Sequence, residues 1–166
     1  MKKFDLITFL LSIIVTLEFL ILVVLFYNSP FFYYLFERDI KTIPKFKNIE
    51  NVNTWCYNKI QYVSDKESTG YDEFFKTPER TLKDKTGDCD DYAILLLYIV
   101  KQRFNIEGEF ISVKTENSFH AIARINGKFY DPTNNCIDCT DFIEIYEIYS
   151  YSDIMSKVYK GYFWNY

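Results

Sequence analysis

Residues 85–100 read KTGDCDDYAILLLYIV, and this stretch decides the fold of the chain. The apolar residues after Cys89 recur at the spacing of one helix face, which predicts a largely buried helix. Asp88 is expected to cap this helix, and Asp90 and Asp91 suit its first turn, where carboxylates complement the positive end of the helix dipole. Cys89 is therefore predicted to point inward from the first turn of a buried helix.

The position of Cys89 supports two readings. A helix N-terminus stabilises a thiolate through its dipole and its free backbone N–H groups, which is one route to a reactive cysteine. The three neighbouring aspartates oppose this effect, so Cys89 taken alone is read as a buried structural cysteine. A positive group must lie nearby if Cys89 is a nucleophile.

Two helices are predicted before this stretch. In residues 49–63 the apolar positions step by three and four, and Cys56 on this stripe is read as a buried, inert thiol. Thr77 followed by Pro78 is a helix-start signal, with Thr77 as the N-cap and proline at the first helical position. A short helix up to about Lys83 is expected to follow.

A hairpin is predicted after the buried helix. Residues 109–114 and 119–125 read as strands, and Asn126-Gly127 is the strongest short signal for a two-residue turn. Counting back from this turn places His120 and Asp131 on one face as diagonal neighbours, about 7–8 Å apart at the backbone. An imidazole and a carboxylate can bridge that gap with a hydrogen bond that raises the histidine pKa. A three-residue turn would instead put Asp131 on the opposite face.

Length and charge limit the classes of function. A chain of 166 residues has room for one ordinary domain. Lys and Arg total 19 against 23 Asp and Glu, which gives a net charge of −4 and argues against nucleic acid as a partner. The chain contains one histidine, His120.

An apolar segment at residues 6–27 is long enough to cross a bilayer and is read as a retained single-pass anchor. Residues 1–5 are then a short N-terminal tail, residues 28–48 a stalk, and residues 49–166 the domain. Positive charges flank the segment on both sides and do not decide its orientation. Because a lone N-terminal apolar segment commonly acts as an export signal, the domain is expected on the extracytoplasmic side of the membrane.

The motifs together resemble the transglutaminase-like superfamily of papain-like thiol enzymes, of the cysteine peptidase type, over residues 50–135. The resemblance is carried by TPE at residues 77–79, GDCDDYA at 87–93, FHA at 119–121 and YDPT at 130–133. It implies an α+β fold in which the helix carrying the cysteine packs on an antiparallel sheet. It also implies Cys89 as nucleophile, His120 as general base and acid, and Asp131 as the group that orients the imidazole.

The implied activity is cysteine-dependent hydrolysis of amide bonds in a protein or peptide-like substrate through a thioester acyl-enzyme, without a cofactor. Two alternatives remain: a protein-glutamine acyltransferase that forms crosslinks, and a catalytically silent binding domain tethered to the membrane. The backbone N–H of Cys89 is the natural oxyanion donor. The second donor is not resolved among Trp55, Asn58 and Tyr62.

Cys136 and Cys139 form a C-x-x-C unit just after the Asp131 strand. A loop disulfide or two free thiols are expected, and a zinc site built from all four cysteines is the competing reading that would exclude the triad. Near the C-terminus, strands are expected at about 142–149, and a short helix near 153–159 with Ser152 as its cap.

Overall fold

The computed structural model describes residues 12–13, 15–19 and 43–160. Two units divide the chain, residues 1–44 and 45–166. In the second unit the elements follow in this order: α1 (Ile49–Lys59), β1 (Gln61–Tyr62), α2 (Asp65–Ser68), α3 (Pro78–Asp84), β2 (Thr86–Gly87), α4 (Cys89–Phe104), β3 (Glu109–Lys114), β4 (Phe119–Ile125), β5 (Lys128–Asp131), β6 (Cys136–Ile137), β7 (Glu144–Ser150) and α5 (Tyr151–Lys160).

Helix α4 is the centre of the second unit. Every residue from Asp90 to Val100 is buried, so this helix is covered on all sides and not only along one apolar stripe. Strand β4 of the sheet packs against it, and α1 and α3 contact it as well. The predicted arrangement of a cysteine-bearing helix on an antiparallel sheet is confirmed. A helix enclosed in this way holds its first turn, and therefore Cys89, in a fixed position.

The sheet has five antiparallel strands in the order β6-β5-β4-β3-β7. Its β4–β5 hairpin has the predicted register, with Ile125 opposite Lys128 and Ala123 opposite Tyr130. The turn residues Asn126 and Gly127 have φ angles of 52° and 80°, as a two-residue hairpin turn with positive φ at both positions requires. The register that places His120 and Asp131 on one face is therefore confirmed.

A second, two-stranded pair joins separate parts of the chain. Strands β1 and β2 are parallel, with Tyr62 opposite Gly87, and Val63 N–H donates to the Gly87 carbonyl at 3.0 Å. Because Asp65 follows β1 closely and Asp88 directly follows β2, this pairing brings the start of α2 next to the start of α4.

The helix-start predictions have different outcomes. The Thr77 hydroxyl caps α3 as predicted and accepts from Arg80 N–H. Asp88 occupies the N-cap position of α4, but its side chain makes no capping hydrogen bond, so that prediction is wrong in its chemistry. Helix α5 begins earlier than expected, and the Ser150 hydroxyl, rather than Ser152, accepts from Asp153 N–H at 3.2 Å.

In the first unit, residues 12–13 and 15–19 are helical. The rest of the expected anchor at 6–27, the tail at 1–5 and residues 28–42 of the stalk lie outside the described residues, as do residues 161–166. Among the helices that the structure describes, none has the length and apolar character needed to cross a membrane.

Candidate active site

Cys89 is the first residue of α4 and is half-buried, with a free thiol. The first hydrogen bond inside the helix runs from Tyr92 N–H to the Asp88 carbonyl, so the N–H of Cys89 precedes the hydrogen-bonded turns. The second free cysteine, Cys56, is fully buried in α1, and its burial raises the pKa of the Cys56 thiol. Cys56 is thus the inert thiol predicted from the sequence.

His120 and Asp131 form a hydrogen bond across the hairpin. Nε2 of His120 lies 2.8 Å from Oδ2 of Asp131, and the His120 side chain is 21% exposed against 7% for Asp131. The diagonal pairing derived from the turn therefore gives direct contact between the two side chains. Because this hydrogen bond uses Nε2 of His120, the other ring nitrogen, Nδ1, can interact with a second group.

Asp131 is held in place by the turn that follows β5. Its Oδ1 accepts from Thr133 N–H at 2.9 Å and from Asn134 N–H at 3.2 Å, and its Oδ2 accepts from Asn134 Nδ2 at 2.8 Å. Asn134 was not among the predicted site residues. An Asp-Pro-Thr-Asn run directly after a strand is a turn signal that could have indicated it.

The protonation states follow from this environment. Burial lowers the pKa of His120, but hydrogen bonds and charges of Asp131 and Cys89 outweigh burial and raise the pKa from 6.5 to about 10. Burial raises the pKa of Asp131, and the hydrogen bonds from His120 and Asn134 outweigh it, so the pKa of Asp131 lies below 3.8. The pair is an imidazolium and a carboxylate at neutral pH.

The structure thus brings together all three predicted site residues. Cys89 interacts with His120 from α4, and Asp131 interacts with His120 from β5. His120 is the positive group that Cys89 needs among its acidic neighbours. The arrangement can support attack by sulfur on a carbonyl, with proton transfer through the imidazole.

Three residues were predicted as candidates for the second oxyanion donor, and their surroundings differ. Trp55 packs edge-on against Phe46, and the Asn58 side-chain amide donates to the Thr54 carbonyl within its own helix. For Tyr62, burial first and then the charge of Cys89 raise the pKa to about 12, which keeps its hydroxyl protonated beside the thiol. Of the three, Tyr62 is the residue whose pKa responds to the charge of Cys89.

Three carboxylates form a cluster near the start of α4, and the charge of Cys89 acts on one of them, Asp90. One oxygen from each of Asp65, Asp88 and Asp90 lies within 4.8 Å of the others. Burial and then the charge of Asp88 raise the pKa of Asp65 to about 7, and burial raises the pKa of Asp90 well above 3.8. Asp65 is far from the motif in sequence, and only the β1–β2 pairing places it here.

Asp91, in the same turn of α4, is paired with a buried lysine. Nζ of Lys76 lies 3.1 Å from Oδ2 of Asp91, with 2% and 0% of the two side chains exposed. The backbone N–H of Lys76 donates to Oδ1 of Asp91 at 2.8 Å. This pair fixes the segment before α3 to the first turn of α4.

Cys136 and Cys139 form a disulfide, one of the two states expected from the sequence. The competing zinc site of four cysteines is not formed among residues 43–160. Two of the four cysteines share a disulfide, and the Cys56 side chain on α1 is fully buried. The disulfide joins β6 to the following loop, and in the sheet Cys136 is the partner of Asp131.

A cysteine at the start of a buried helix, facing a histidine–aspartate pair on an antiparallel sheet, defines a transglutaminase-like fold of the papain type. The comparison with protein families agrees. A family model described as a transglutaminase-like domain matches residues 35–157, and the chain belongs to this family.

Solved structures of other proteins are similar to part of this chain. Calcium-bound LapG of Legionella pneumophila is 19% identical over 61% of this chain and 62% of LapG, with a TM-score of 0.48. EGTA-treated LapG of the same organism is 23% identical over 54% of this chain and 53% of LapG, with a TM-score of 0.42. A Cytophaga hutchinsonii structure reported as "a Putative Cysteine Protease" is 19% identical over 70% of this chain and 48% of that protein, with a TM-score of 0.42. The chain covers less than two thirds of each, and no curated protein matches it.

Proposed function

We propose that the chain is a membrane-anchored cysteine-dependent amide hydrolase that acts on protein or peptide-like substrates. The observation that carries this proposal is the 2.8 Å contact between His120 and Asp131, together with the interaction of the same ring with Cys89. A half-buried free thiol, an imidazolium and a carboxylate in this order are the groups that thiol-dependent acyl transfer requires.

The proposed reaction has two steps. The Cys89 sulfur attacks the carbonyl carbon of the amide, and the resulting oxyanion is met by the Cys89 N–H and the Tyr62 hydroxyl. His120 gives its proton to the leaving amine as the C–N bond breaks, which leaves a thioester on Cys89. His120 then takes a proton from water, the water oxygen attacks the thioester, and the C–S bond breaks to release the acid.

Asp131 acts on the ring rather than on the substrate. Its Oδ2 holds Nε2 of His120, and the Asn134 amide and the turn N–H groups fix the carboxylate. The ring is therefore aimed with Nδ1 towards the thiol, and its protonated form is stabilised before substrate binds.

The experiment is covalent labelling of the full chain in detergent with iodoacetamide, together with turnover of a casein or peptide-amide panel. The accessible free thiol is Cys89, so Cys89→Ser should abolish both labelling and turnover, whereas Cys56→Ser should change neither. His120→Ala should slow labelling at neutral pH and abolish turnover. Turnover that survives Cys89→Ser would overturn the proposal.

The same assay separates the alternatives. An added primary amine that becomes incorporated into the product would support the glutamine acyltransferase, in which an amine replaces water in the second step. A reactive Cys89 without turnover of any substrate in the panel would support the silent binding domain. We also propose that residues 6–27 anchor the chain with the domain on the extracytoplasmic side, which a disulfide at Cys136–Cys139 supports.

A further inference from the structure

Helix α1 contacts both parts of the candidate site. It packs on α4, the helix that begins with Cys89. It also makes two side-chain hydrogen bonds to β5 and to the turn that follows β5, between residues that are 80 and 82 positions apart in the sequence. Because a single helix contacts both parts, its side chains can set the position of Asp131 relative to Cys89.

The two hydrogen bonds lie on either side of Asp131 in the sequence. Before it, the Tyr130 hydroxyl donates to Oε1 of Glu50 at 3.3 Å. After it, Nδ2 of Asn53 donates to Oδ1 of Asn135, also at 3.3 Å. Glu50 and Asn53 are three positions apart and therefore share one face of α1. This face holds the segment that carries Asp131 at two points.

Asn53 is a costly residue at its position. It is 0% exposed and belongs to the buried residues of α1, together with Val52 and Cys56. Its Oδ1 atom is buried and has no hydrogen-bond partner among the residues that the structure describes. A buried amide with an unpaired oxygen costs stability that an apolar side chain would not. The hydrogen bond to Asn135 is therefore what asparagine supplies here and an apolar residue would not.

From Asn135 the contact continues to Asp131. Asn135 is exposed and has a φ angle of 51°, in the left-handed region. The preceding residue, Asn134, donates its backbone N–H to Oδ1 of Asp131 at 3.2 Å and its Nδ2 to Oδ2 at 2.8 Å. One peptide unit separates the residue that Asn53 holds from the residue that holds Asp131. A displacement of Asn135 is thus passed to the carboxylate.

We propose that Asn53 is a positioning residue of the Cys89–His120–Asp131 site, which acts through Asn135 on the turn that orients Asp131. This inference rests on the proposed function, in which Asp131 aims the His120 ring at the thiol. Asn53 acts on the reaction through the carboxylate and the ring, and not on the substrate.

The test compares three variants of the full chain in detergent. Asn53→Ala removes the donor. Asn135→Gly removes the acceptor and keeps the left-handed backbone, which glycine adopts freely. Asn51→Ala is the matched control, because Asn51 is on the same helix with its side chain exposed. The readouts are the His120 ring titration by NMR, the Tm, and kcat and KM on the peptide-amide panel.

We expect Asn53→Ala and Asn135→Gly each to move the His120 pKa from about 10 towards 6.5, since a loosened Asp131 stabilises the imidazolium less. The kcat of each should fall by roughly tenfold with little change in KM, because the catalytic groups are misplaced while substrate contacts remain. Asn51→Ala should change none of these quantities.

The double variant Asn53→Ala with Asn135→Gly tests the route of the effect. Both substitutions remove the same hydrogen bond, so together they should shift the His120 titration no further than the larger single change. Shifts that add in the double variant would overturn the inference, since the two residues would then act separately.

Two further results would overturn it. One is a His120 titration that matches wild type in both single variants. The other is a lower Tm and kcat with an unchanged His120 titration, which would make Asn53 a purely structural residue. If Asn53→Ala does not fold, Asn135→Gly decides, because its side chain is exposed. The titration needs no turnover, so a panel without turnover would count against the proposed hydrolase and leave this test readable.

Discussion

At the scale of single residues, the chemistry of His120 depends on two neighbours from different elements. Asp131 from β5 and Cys89 from α4 both favour the charged ring, and they more than offset burial, which favours the neutral one. A ring protonated at neutral pH is the acid that a departing amine needs.

His120 is the only histidine of the chain, so its ring signals can be followed directly by NMR. We expect the ring to remain protonated through neutral pH and to titrate with a pKa of about 10. Asp131→Asn removes one of the interactions that raise this pKa, so its titration should move towards 6.5. A wild-type midpoint near 6.5 would contradict the imidazolium.

The same shift has a consequence for stability. The pKa of His120 is higher in the folded chain than its unfolded value of 6.5, so the folded state holds the proton more tightly. The resulting stabilisation is complete below pH 6.5 and is lost as the pH rises towards 10. Asp131→Asn should flatten this part of the curve of unfolding free energy against pH.

Sequence patterns predicted the residues of the candidate site better than they predicted the contacts that hold those residues in place. The turn Asn126-Gly127 fixed the hairpin register, and register alone placed His120 beside Asp131. Asp88 illustrates the limit of this reasoning. Its position predicts a helix cap, yet its carboxylate makes no capping hydrogen bond and belongs to a cluster with Asp65. Asp65 lies close to Asp88 because β1 and β2 pair in parallel, and no local sequence pattern predicts that pairing.

At the scale of elements, α4 is held in place by tertiary contacts that the sequence pattern does not predict. Lys76 reads as an ordinary surface lysine, but it is 2% exposed and pairs with Asp91 in the first turn of the helix. Tertiary contacts of this kind decide whether a charge is buried, and they depend on which loop covers the helix. The helix itself was predictable because its period and its start signals are local.

Removing the lysine should therefore destabilise the fold strongly. Lys76→Met leaves the Asp91 charge buried without its cation, and such a loss typically costs about 3–5 kcal/mol. Lys66→Met is the matched control, because Lys66 and Asp72 form an ion pair that is 77% and 85% exposed, for which about 0–1 kcal/mol is expected. Equal costs for the two variants in urea unfolding would refute this account of the ion pair.

At the scale of the whole molecule, the proposed anchor and the domain must be compatible with one compartment. Residues 6–27 supply the apolar length for a bilayer, and the domain carries a disulfide at Cys136–Cys139, which persists in an oxidising compartment. Both features favour a domain held outside the cytoplasm. In the proposed orientation, the partners accessible to the domain would be proteins or peptides at the outer face of that membrane.

Labelling of Cys89 from outside intact cells tests this orientation. A membrane-impermeant maleimide should label wild-type chain without permeabilisation, because Cys89 is the accessible free thiol and Cys56 is enclosed in α1. Cys89→Ser should abolish the signal and so identify its source. Labelling that needs permeabilisation would place the domain on the inner side of the membrane.

A double variant, Val15→Arg with Leu17→Arg, tests the anchor itself. It should shift the chain from the membrane fraction to the soluble fraction, since each arginine costs about 2.5–3.5 kcal/mol in the bilayer centre. An unchanged membrane fraction in this variant would show that residues 6–27 are not the anchor.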